Sequence, residues 1–240
     1  MSGERQHDTV ILVPAMRLSV VIPVYNERAT IHAVLDRVDA VDLDKEIVIV
    51  DDCSSDGTQA VLQQAHAAHR IILFHETNQG KGAALRTGLK HVSGDYVVIQ
   101  DADLEYDPRD YVKLLEPVLA GRAQVVYGTR FATGRPPMSW RYWIGNRLLT
   151  GLTNVLYGSR LSDMETCYKL FAAKALEGIR IESNRFNVEP ELTAKVLRKG
   201  YAVEEVPISY YGRKVSEGKK ISSKDFVSAV WTLLKYRFRK

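Results

Sequence analysis

The chain has 240 residues, of which 45% are hydrophobic and 26% are charged. This composition supplies enough apolar side chains for a full core, which excludes a disordered chain or a small disulfide-stapled scaffold and favours one large domain, alone or with a small appendage. The two cysteines, Cys53 and Cys167, match neither a CxxC motif nor a zinc-ligand spacing, and this favours a reducing compartment.

The net charge of +4 conceals two halves of opposite sign. Residues 1–121 carry 11 Lys and Arg against 19 Asp and Glu, a balance of 11 − 19 = −8, whereas residues 122–240 carry 22 against 10, a balance of 22 − 10 = +12. An acidic half is suited to a cation and a basic half to anions, although solvated charged faces alone produce the same segregation.

No targeting or membrane-spanning segment is evident in the sequence. The apolar run near the start, Val10 to Val13, is too short for the core of a signal peptide. No other run approaches the roughly 18 apolar residues of a membrane span. We therefore expect a cytoplasmic protein, and attachment to a membrane surface stays open.

The first half alternates short apolar runs with amphipathic stretches, and this pattern predicts strands followed by helices. The predicted strands are Leu18–Val24, Glu46–Val50, Ile71–Phe74, Tyr96–Ile99 and Gln124–Tyr127. The predicted helices are Glu27–Val38, Thr58–Ala68, Lys81–His91 and Pro108–Leu119, with start signals at Asn26, Asp56 and Asp107. Such alternation favours an α/β fold with a mostly parallel sheet flanked by helices.

Ligands of parallel sheets bind beyond the carboxyl ends of the strands, and acidic residues follow three of these strands. They are Glu27 after the first, Asp51, Asp52 and Asp56 after the second, and Asp101, Asp103 and Glu105 after the fourth. Clustered carboxylates repel one another unless a cation or hydrogen-bond donors offset them. Helix capping explains Asp56, but it explains the last three acids poorly because they precede the next helix by several residues. An Asp-X-Asp motif after a strand is a plausible site for Mg²⁺ or Mn²⁺.

From Arg130 onward the alternation weakens. Residues 140–157 mix aromatic and aliphatic side chains with basic ones, residues 189–198 have helical spacing, and residues 201–210 read as extended. Residues 212–220 form a basic loop, and the chain ends in Lys224–Lys240, whose apolar residues recur at helical spacing among basic ones.

Four ordered motifs identify a resemblance. Residues 19–27 read SVVIPVYNE, residues 50–58 VDDCSSDGT, residues 78–84 NQGKGAA and residues 94–103 GDYVVIQDAD. Their order and spacing resemble those of family 2 glycosyltransferases with the Rossmann-like GT-A fold. Further segments, GTR at 128–130, Asp163, FNVEPE at 186–191 and VPISYYGR at 206–213, resemble the branch of dolichol-phosphate mannose synthase and bacterial polyprenyl-phosphate glycosyltransferases. The resemblance extends from Leu18 to Ser223.

The resemblance implies roles for particular residues. A nucleotide-sugar site is implied for Pro23, Tyr25, Glu27, Asp52, Lys81, Asp101, Ala102 and Asp103, with Asp51 at its edge. The implied metal ligands are Asp101, Asp103 and Glu105. The implied catalytic and phosphate-contacting residues are Asp103, Arg130, Arg213 and Lys219, with Arg147 a weaker candidate.

Two features depart from the family pattern. Cys53 stands where relatives often have Gly, and we interpret it as a packed turn residue. No clear counterpart is found for the general base of relatives that glycosylate hydroxyls. Glu189 and Glu191 are possible bases, but acids at a helix start are also favoured by the helix dipole, and we rank that structural role first.

The missing base is consistent with a phosphate acceptor, which is already anionic and needs positioning rather than deprotonation. The predicted function is inverting, metal-dependent transfer of a hexose from a nucleotide sugar, GDP-mannose or UDP-glucose, to a polyprenyl phosphate. The alternatives are a family 2 enzyme with a hydroxyl acceptor and a nucleotide-sugar or nucleic-acid-binding module. Nucleic acid is disfavoured because the acidic strand ends would repel its backbone.

The predicted organisation is a tail at 1–16, a GT-A domain at 17–221 and a C-terminal amphipathic basic helix at 222–240. That helix either lies in a membrane interface, which makes the protein peripheral on the cytoplasmic face, or packs its apolar stripe on the domain.

Overall fold

The computed structural model describes residues 16–132, 134–212 and 223–239. The predicted tail at 1–16 lies outside this part of the chain except for Met16. One seven-stranded sheet organises the rest, in the order β3-β2-β1-β4-β6-β5-β7. Its strands are β1 Leu18–Val24, β2 Lys45–Asp51, β3 Arg70–Phe74, β4 Tyr96–Ile99, β5 Val125–Thr129, β6 Lys169–Ala172 and β7 Val203–Pro207.

All pairings except those of β6 are parallel, which confirms the predicted mostly parallel sheet. β6 runs antiparallel between β4 and β5, with Lys169 opposite Tyr127 and Leu170 opposite Val98. The chain therefore leaves β5 and re-enters β6 at the same edge of the sheet. That edge holds the carboxyl ends of β1, β2 and β4.

Eight helices are present in the described residues. They are α1 Ile31–Asp39, α2 Thr58–Gln64, α3 Lys81–Gly88, α4 Tyr111–Leu119, α5 Trp140–Tyr157, α6 Ala173–Leu176, α7 Val188–Arg198 and α8 Ser223–Phe238. A turn of 3₁₀-helix, Pro108–Asp110, precedes α4. The Asp107 carboxylate accepts a hydrogen bond from the Arg109 N–H at 3.0 Å, so the predicted start signal there is confirmed.

The predicted start of the first helix is wrong by four residues. α1 begins at Ile31, and Asn26 adopts a left-handed φ of 53° instead of capping it. The Asn26 side-chain oxygen accepts a hydrogen bond from the Ser55 N–H at 2.8 Å. It thereby joins the loop after β1 to the acidic turn after β2. Asn tolerates a positive φ better than most residues, which explains its use here.

Two other predicted helices end early. α2 stops at Gln64 rather than Ala68, and α3 stops at Gly88 rather than His91. Beyond Gln64 the chain must turn into β3, and the Arg70 guanidinium donates to the Ala65 carbonyl at 2.8 Å across this turn. At Gly88 an added Cβ would lie 2.7 Å from Val21 of β1, so α3 approaches the sheet closely there.

The C-terminal helix packs one of its faces on the domain. Ala229, Leu233 and Tyr236 of α8 are buried, and α8 contacts α5 and α7. The Tyr157 hydroxyl of α5 donates to the Leu233 carbonyl at 2.6 Å. Among the described residues, no helix combines the length and apolar character needed to cross a bilayer.

Candidate active site

A cleft of about 1180 Å³ opens at the carboxyl ends of β1, β2 and β4. Its walls bring together ten of the residues predicted for the site, namely Pro23, Tyr25, Glu27, Asp52, Lys81, Asp101, Ala102, Asp103, Glu105 and Arg130. They come from five separate segments, and the parallel sheet brings them together because its strands end at a common edge.

Asp51 does not join them, and its predicted place at the edge of the pocket is corrected. Its side chain is fully buried and does not line the cleft. One carboxylate oxygen accepts hydrogen bonds from the Ser54 N–H and the Gln59 amide, both at 2.9 Å. Asp51 therefore shapes the turn that follows β2, and Asp52 is the acid that faces the cleft.

Asp52 fixes the loop that leads to α3. Its carboxylate accepts hydrogen bonds from the Gln79 N–H at 3.0 Å and the Gly80 N–H at 2.6 Å. It also bonds His75 at 2.7 Å. Because Lys81 is the next residue after Gly80, this acid determines where the lysine enters the cleft.

Cys53 sits between these two acids and the serines that follow them. It has a φ of 60°, in the left-handed region where glycine is least strained. This conformation is consistent with the glycine that the resemblance implies at this position. The Cys53 thiol lies 3.4 Å from the Glu76 carbonyl, which fits the predicted role as a packed turn residue.

Lys81 connects two carboxylates across the cleft. Its ammonium lies 2.7 Å from a carboxylate oxygen of Asp101 and 2.7 Å from one of Glu189. Burial disfavours the charged lysine, but these acids outweigh that effect and hold the pKa of Lys81 well above its ordinary value. Lys81 is therefore a cation throughout the neutral range, and it ties the end of β4 to the start of α7.

The acids after β4 have different surroundings. Asp103 and Glu105 are both buried, and one Asp103 oxygen accepts a hydrogen bond from the Glu105 N–H at 3.0 Å. The Tyr210 hydroxyl donates to the Glu105 carboxylate at 2.9 Å. Glu105 is therefore hydrogen-bonded to Tyr210, in the segment after β7. Its carboxylate does not form a cluster with those of Asp101 and Asp103 in the described residues.

In the described part of the chain, no three His, Cys, Asp or Glu side chains come together as a ready metal site. The predicted triad of Asp101, Asp103 and Glu105 is therefore not preassembled. Asp101 and Asp103 still fit a hard divalent ion, because such ions are held by one or two carboxylates and complete their coordination with water and substrate phosphates.

Arg130 is held in the cleft wall by a buried ion pair. Its guanidinium donates two hydrogen bonds to the Asp163 carboxylate, each at 2.7 Å, and its backbone N–H donates a third at 3.0 Å. Burial opposes the charge, but Asp163 holds the pKa of Arg130 well above its ordinary value. The Tyr210 ring, 5.2 Å from the guanidinium carbon, covers one face of this cation.

The remaining predicted residues divide into three groups. Arg213 and Lys219 lie outside the described residues. Arg147 donates to the Ser162 carbonyl at 3.3 Å and is not part of the cleft wall. Glu191 is fully buried and accepts hydrogen bonds from the backbone N–H groups of residues 182 and 183, which gives it the structural role ranked first for it.

Glu189 and Glu165 are among the residues of the cleft wall that were not assigned to the site from the sequence. Glu189, for which a structural role was ranked first, lines the cleft and pairs with Lys81. Glu165 also lines it, in the segment that returns from α5 to β6. No sequence signal marks Glu165, because it belongs to no predicted element and lies far from the acidic strand ends.

The sequence model of Glycosyl transferase family 2 matches residues 19–180, about two thirds of the chain. The chain belongs to this family. It is a glycosyltransferase, as the four motifs predict.

Three curated relatives show the extent of the similarity. Polyprenol monophosphomannose synthase of Mycolicibacterium smegmatis is 29% identical over 236 residues, which cover 92% of this chain and 89% of that protein. Glycosyltransferase AglJ of Haloferax volcanii is 29% identical, over 81% of this chain and 63% of its own. Low-salt glycan biosynthesis hexosyltransferase Agl6 of the same organism is 31% identical, over 83% and 49%. The chain thus spans less than two thirds of both archaeal proteins.

Solved structures confirm the GT-A fold. Glucosyl-3-phosphoglycerate synthase from Mycobacterium tuberculosis, in complex with Mn²⁺, uridine diphosphate and glucosyl-3-phosphoglycerate, superposes with a TM-score of 0.72 at 23% identity. The match covers 92% of this chain and 80% of that one. A second mycobacterial protein superposes with a TM-score of 0.73 at 22% identity.

Proposed function

We propose that this glycosyltransferase moves a hexose from a nucleotide sugar to a polyprenyl phosphate, with a divalent cation, Mg²⁺ or Mn²⁺, and inversion at the anomeric carbon. The observation that carries the proposal is the cleft itself, where Asp52, Asp101 and Asp103 face Arg130. The near full-length similarity to a polyprenol monophosphomannose synthase supports the choice of acceptor.

The donor would bind along the strand ends. Pro23, Tyr25, Glu27 and Asp52 would hold the base and ribose, and Asp101 and Asp103 would hold the cation and the diphosphate. When bound, the cation offsets the charge that develops on the departing nucleoside diphosphate. Mn²⁺ in the structurally similar synthase supports this assignment.

The positively charged side chains Arg130 and Lys81 would position the phosphate groups of the substrates. Arg130 cannot rotate freely because Asp163 holds two of its nitrogens, so it offers a fixed positive charge to a phosphate at the cleft wall. Lys81 bonds both Asp101 and Glu189 at 2.7 Å, so it would keep Glu189 as its partner where a cation took its place at Asp101. We assign Arg213 and Lys219 to the same anionic groups by their resemblance to the family alone.

The acceptor's lipid requires a membrane, and we propose a docking face formed by α5 and α8. Trp140, Ile144 and Leu148 lie four residues apart along α5, and Val227 and Trp231 lie four apart along α8, so each set shares one side of its helix. All five side chains are exposed although they are large and apolar. We call this set the α5–α8 face. Two exposed basic residues of α5, Arg141 and Arg147, stand beside Trp140 and Leu148 and form its basic border, as is typical of surfaces that bind anionic lipid.

A hydroxyl acceptor is the second candidate, and one observation favours it. Such an acceptor needs a base, and burial together with the nearby Glu189 raises the pKa of Glu165, in the cleft wall, to about 7. A carboxylate with this pKa can remove a proton near neutrality.

The test is an incubation of purified protein with Mg²⁺ or Mn²⁺ and labelled UDP-glucose or GDP-mannose, with and without a short polyprenyl phosphate. We expect metal-dependent transfer of label from one donor into the organic phase. Asp103→Ala should abolish this transfer, while Asp36→Ala, on the exposed side of α1, should leave it unchanged.

Two results would contradict the proposal. Donor hydrolysis without a lipid product would retain the donor site and move the acceptor to a hydroxyl compound. Full activity of Asp103→Ala would remove that residue from the metal site.

A further inference from the structure

Glu165 has an unusual position in the cleft wall. One of its carboxylate oxygens, Oε1, is buried and has no hydrogen-bond partner among the residues that the structure describes. Buried carboxylate oxygens are almost always paired, so an unpaired one at a ligand-sized cleft indicates that a ligand completes it.

The backbone around Glu165 is rigidly held. Two residues before it, Asp163 is fixed by its ion pair with Arg130 at 2.7 Å. Two residues after it, the Cys167 N–H donates to the Tyr106 hydroxyl at 3.1 Å. Because the backbone is anchored on both sides, the Glu165 carboxylate stays in the cleft wall, with Oε1 available as an acceptor.

The charges around Glu165 restrict what it can bind. Arg130 and Lys169 favour its ionised form, whereas Asp163 and Glu189 oppose it. A phosphate in direct contact with the Glu165 carboxylate itself would place two anions side by side, with Glu189 nearby as a third, which is unfavourable. A sugar hydroxyl donates a hydrogen bond and carries no charge. The part of a nucleotide sugar that fits this acceptor is therefore the hexose and not the diphosphate.

We propose that Glu165 accepts hydrogen bonds from hydroxyl groups of the donor hexose and is a determinant of which sugar is transferred. The inference rests on the proposed function only in taking the cleft as a nucleotide-sugar site. It does not depend on the identity of the acceptor.

The experiment measures binding by calorimetry, with Mn²⁺ present and no acceptor. The ligands are UDP-glucose and GDP-mannose together with UDP and GDP, and the proteins are the unmodified chain, Glu165→Gln and Glu165→Ala. We expect Glu165→Ala to weaken binding of the accepted nucleotide sugar about tenfold or more and Glu165→Gln to weaken it less, because a glutamine still accepts one neutral hydrogen bond. Binding of the nucleoside diphosphate alone should change less than about twofold, since it lacks the hexose.

A control variant and a sugar analogue separate loss of the hexose contact from other effects of substitution. Glu204→Gln, on β7 outside the cleft, should bind all four ligands like the unmodified chain. A donor that lacks the hexose hydroxyl facing Glu165 should bind the unmodified chain weakly, and it should bind Glu165→Ala no worse than the complete donor does.

Three outcomes would overturn the proposal. Equal losses for nucleotide sugar and diphosphate would show a general structural effect. Unchanged binding of the nucleotide sugar by Glu165→Ala would show that Glu165 makes no contact with the hexose. Binding of the analogue that lacks the hydroxyl facing Glu165 as tightly as the complete donor would leave no hexose contact to assign. Because no lipid is present, failure of polyprenyl-phosphate transfer in the earlier assay does not alter this result.

Discussion

At the scale of single residues, the ion pair of Arg130 and Asp163 gives the largest predicted change in stability. Both side chains are buried, so removal of the acid leaves a desolvated cation without a partner. We expect Asp163→Ala to lower the free energy of unfolding by about 3–5 kcal/mol, measured by urea denaturation. Asp163→Asn should cost less because its amide oxygen still accepts from the guanidinium.

An exposed ion pair provides the control for this measurement. Arg122 and Glu116 lie 2.7 Å apart with about half of each side chain accessible to solvent. Glu116→Gln should change the free energy of unfolding far less than Asp163→Ala does, because water screens an exposed pair. Equal losses for Asp163→Ala and Glu116→Gln would contradict the importance given to burial.

Glu46 gives a prediction for acid stability. Burial alone would raise its pKa, but hydrogen bonds from Ser19 and Ser93 outweigh this effect and hold the pKa of Glu46 below its ordinary value of 4.5. The folded state therefore releases the proton more readily than the unfolded chain. The resulting stabilisation is complete above the unfolded pKa and is lost as pH falls through the folded one.

The variant Glu46→Gln isolates this contribution from those of other acids. It should be less stable than the unmodified chain at pH 7, and the difference between the two should shrink as pH falls below about 4.5. Urea denaturation across pH 3 to 7 measures both proteins. A difference that stays constant over this range would show that Glu46 contributes through packing alone.

At the scale of elements, α3 depends on a glycine for its close approach to the segment before α7. A Cβ at Gly82 would lie 2.2 Å from the Ser183 carbonyl oxygen, so Gly82→Ala must displace the helix that begins at Lys81. We expect a loss of about 1–3 kcal/mol in unfolding free energy and weaker nucleotide-sugar binding. Gly151→Ala in α5, where a Cβ meets nothing within 4 Å, should be neutral or stabilising. Thermal unfolding of both variants makes the comparison.

The strands of the first half could be predicted from the sequence because each is an apolar run bounded by polar turns, and β1 has the predicted bounds. β6 could not. It has four residues, Lys169–Ala172, and begins with a fully buried lysine. Its antiparallel direction depends on pairing with β4 and β5, and no local pattern encodes such distant contacts.

The residues of the candidate site also divide into those that local sequence predicts and those that depend on distant contacts. The acids after β1, β2 and β4 were predictable because parallel strands place their carboxyl ends together. Neither the partnership of Lys81 with Glu189 nor the free oxygen of Glu165 could be predicted. Both depend on how residues 130–198 fold back over the sheet, and side chains of that region are brought to the cleft by tertiary packing alone.

At the scale of the whole molecule, the α5–α8 face predicts membrane binding. The opposite side of α8 packs on the domain through Leu233, so deletion of the helix would disturb the fold. Substitution of exposed residues is the cleaner test. We expect Trp231→Ser combined with Val227→Ser to reduce flotation with anionic phosphatidylglycerol vesicles several-fold, because both remove exposed apolar area.

The matched control is Val112→Ser on α4, another exposed valine outside the α5–α8 face. Its flotation should equal that of the unmodified chain. Equal flotation of all three proteins would exclude the α5–α8 face as the docking surface, and added salt should weaken binding if the basic border contributes.

The position of β6 between β4 and β5 has a consequence for the order of folding. β1 to β4 pair among themselves, but β5 and β7 join them only through β6, which emerges from the ribosome some 40 residues after β5. The first four strands can therefore assemble while the remainder is still being synthesised, and β5 has no edge to join until β6 arrives. We expect pulse-labelled hydrogen exchange during refolding to protect amides of β1 and β2 before those of β5 and β7. Simultaneous protection would show that the sheet closes in a single step.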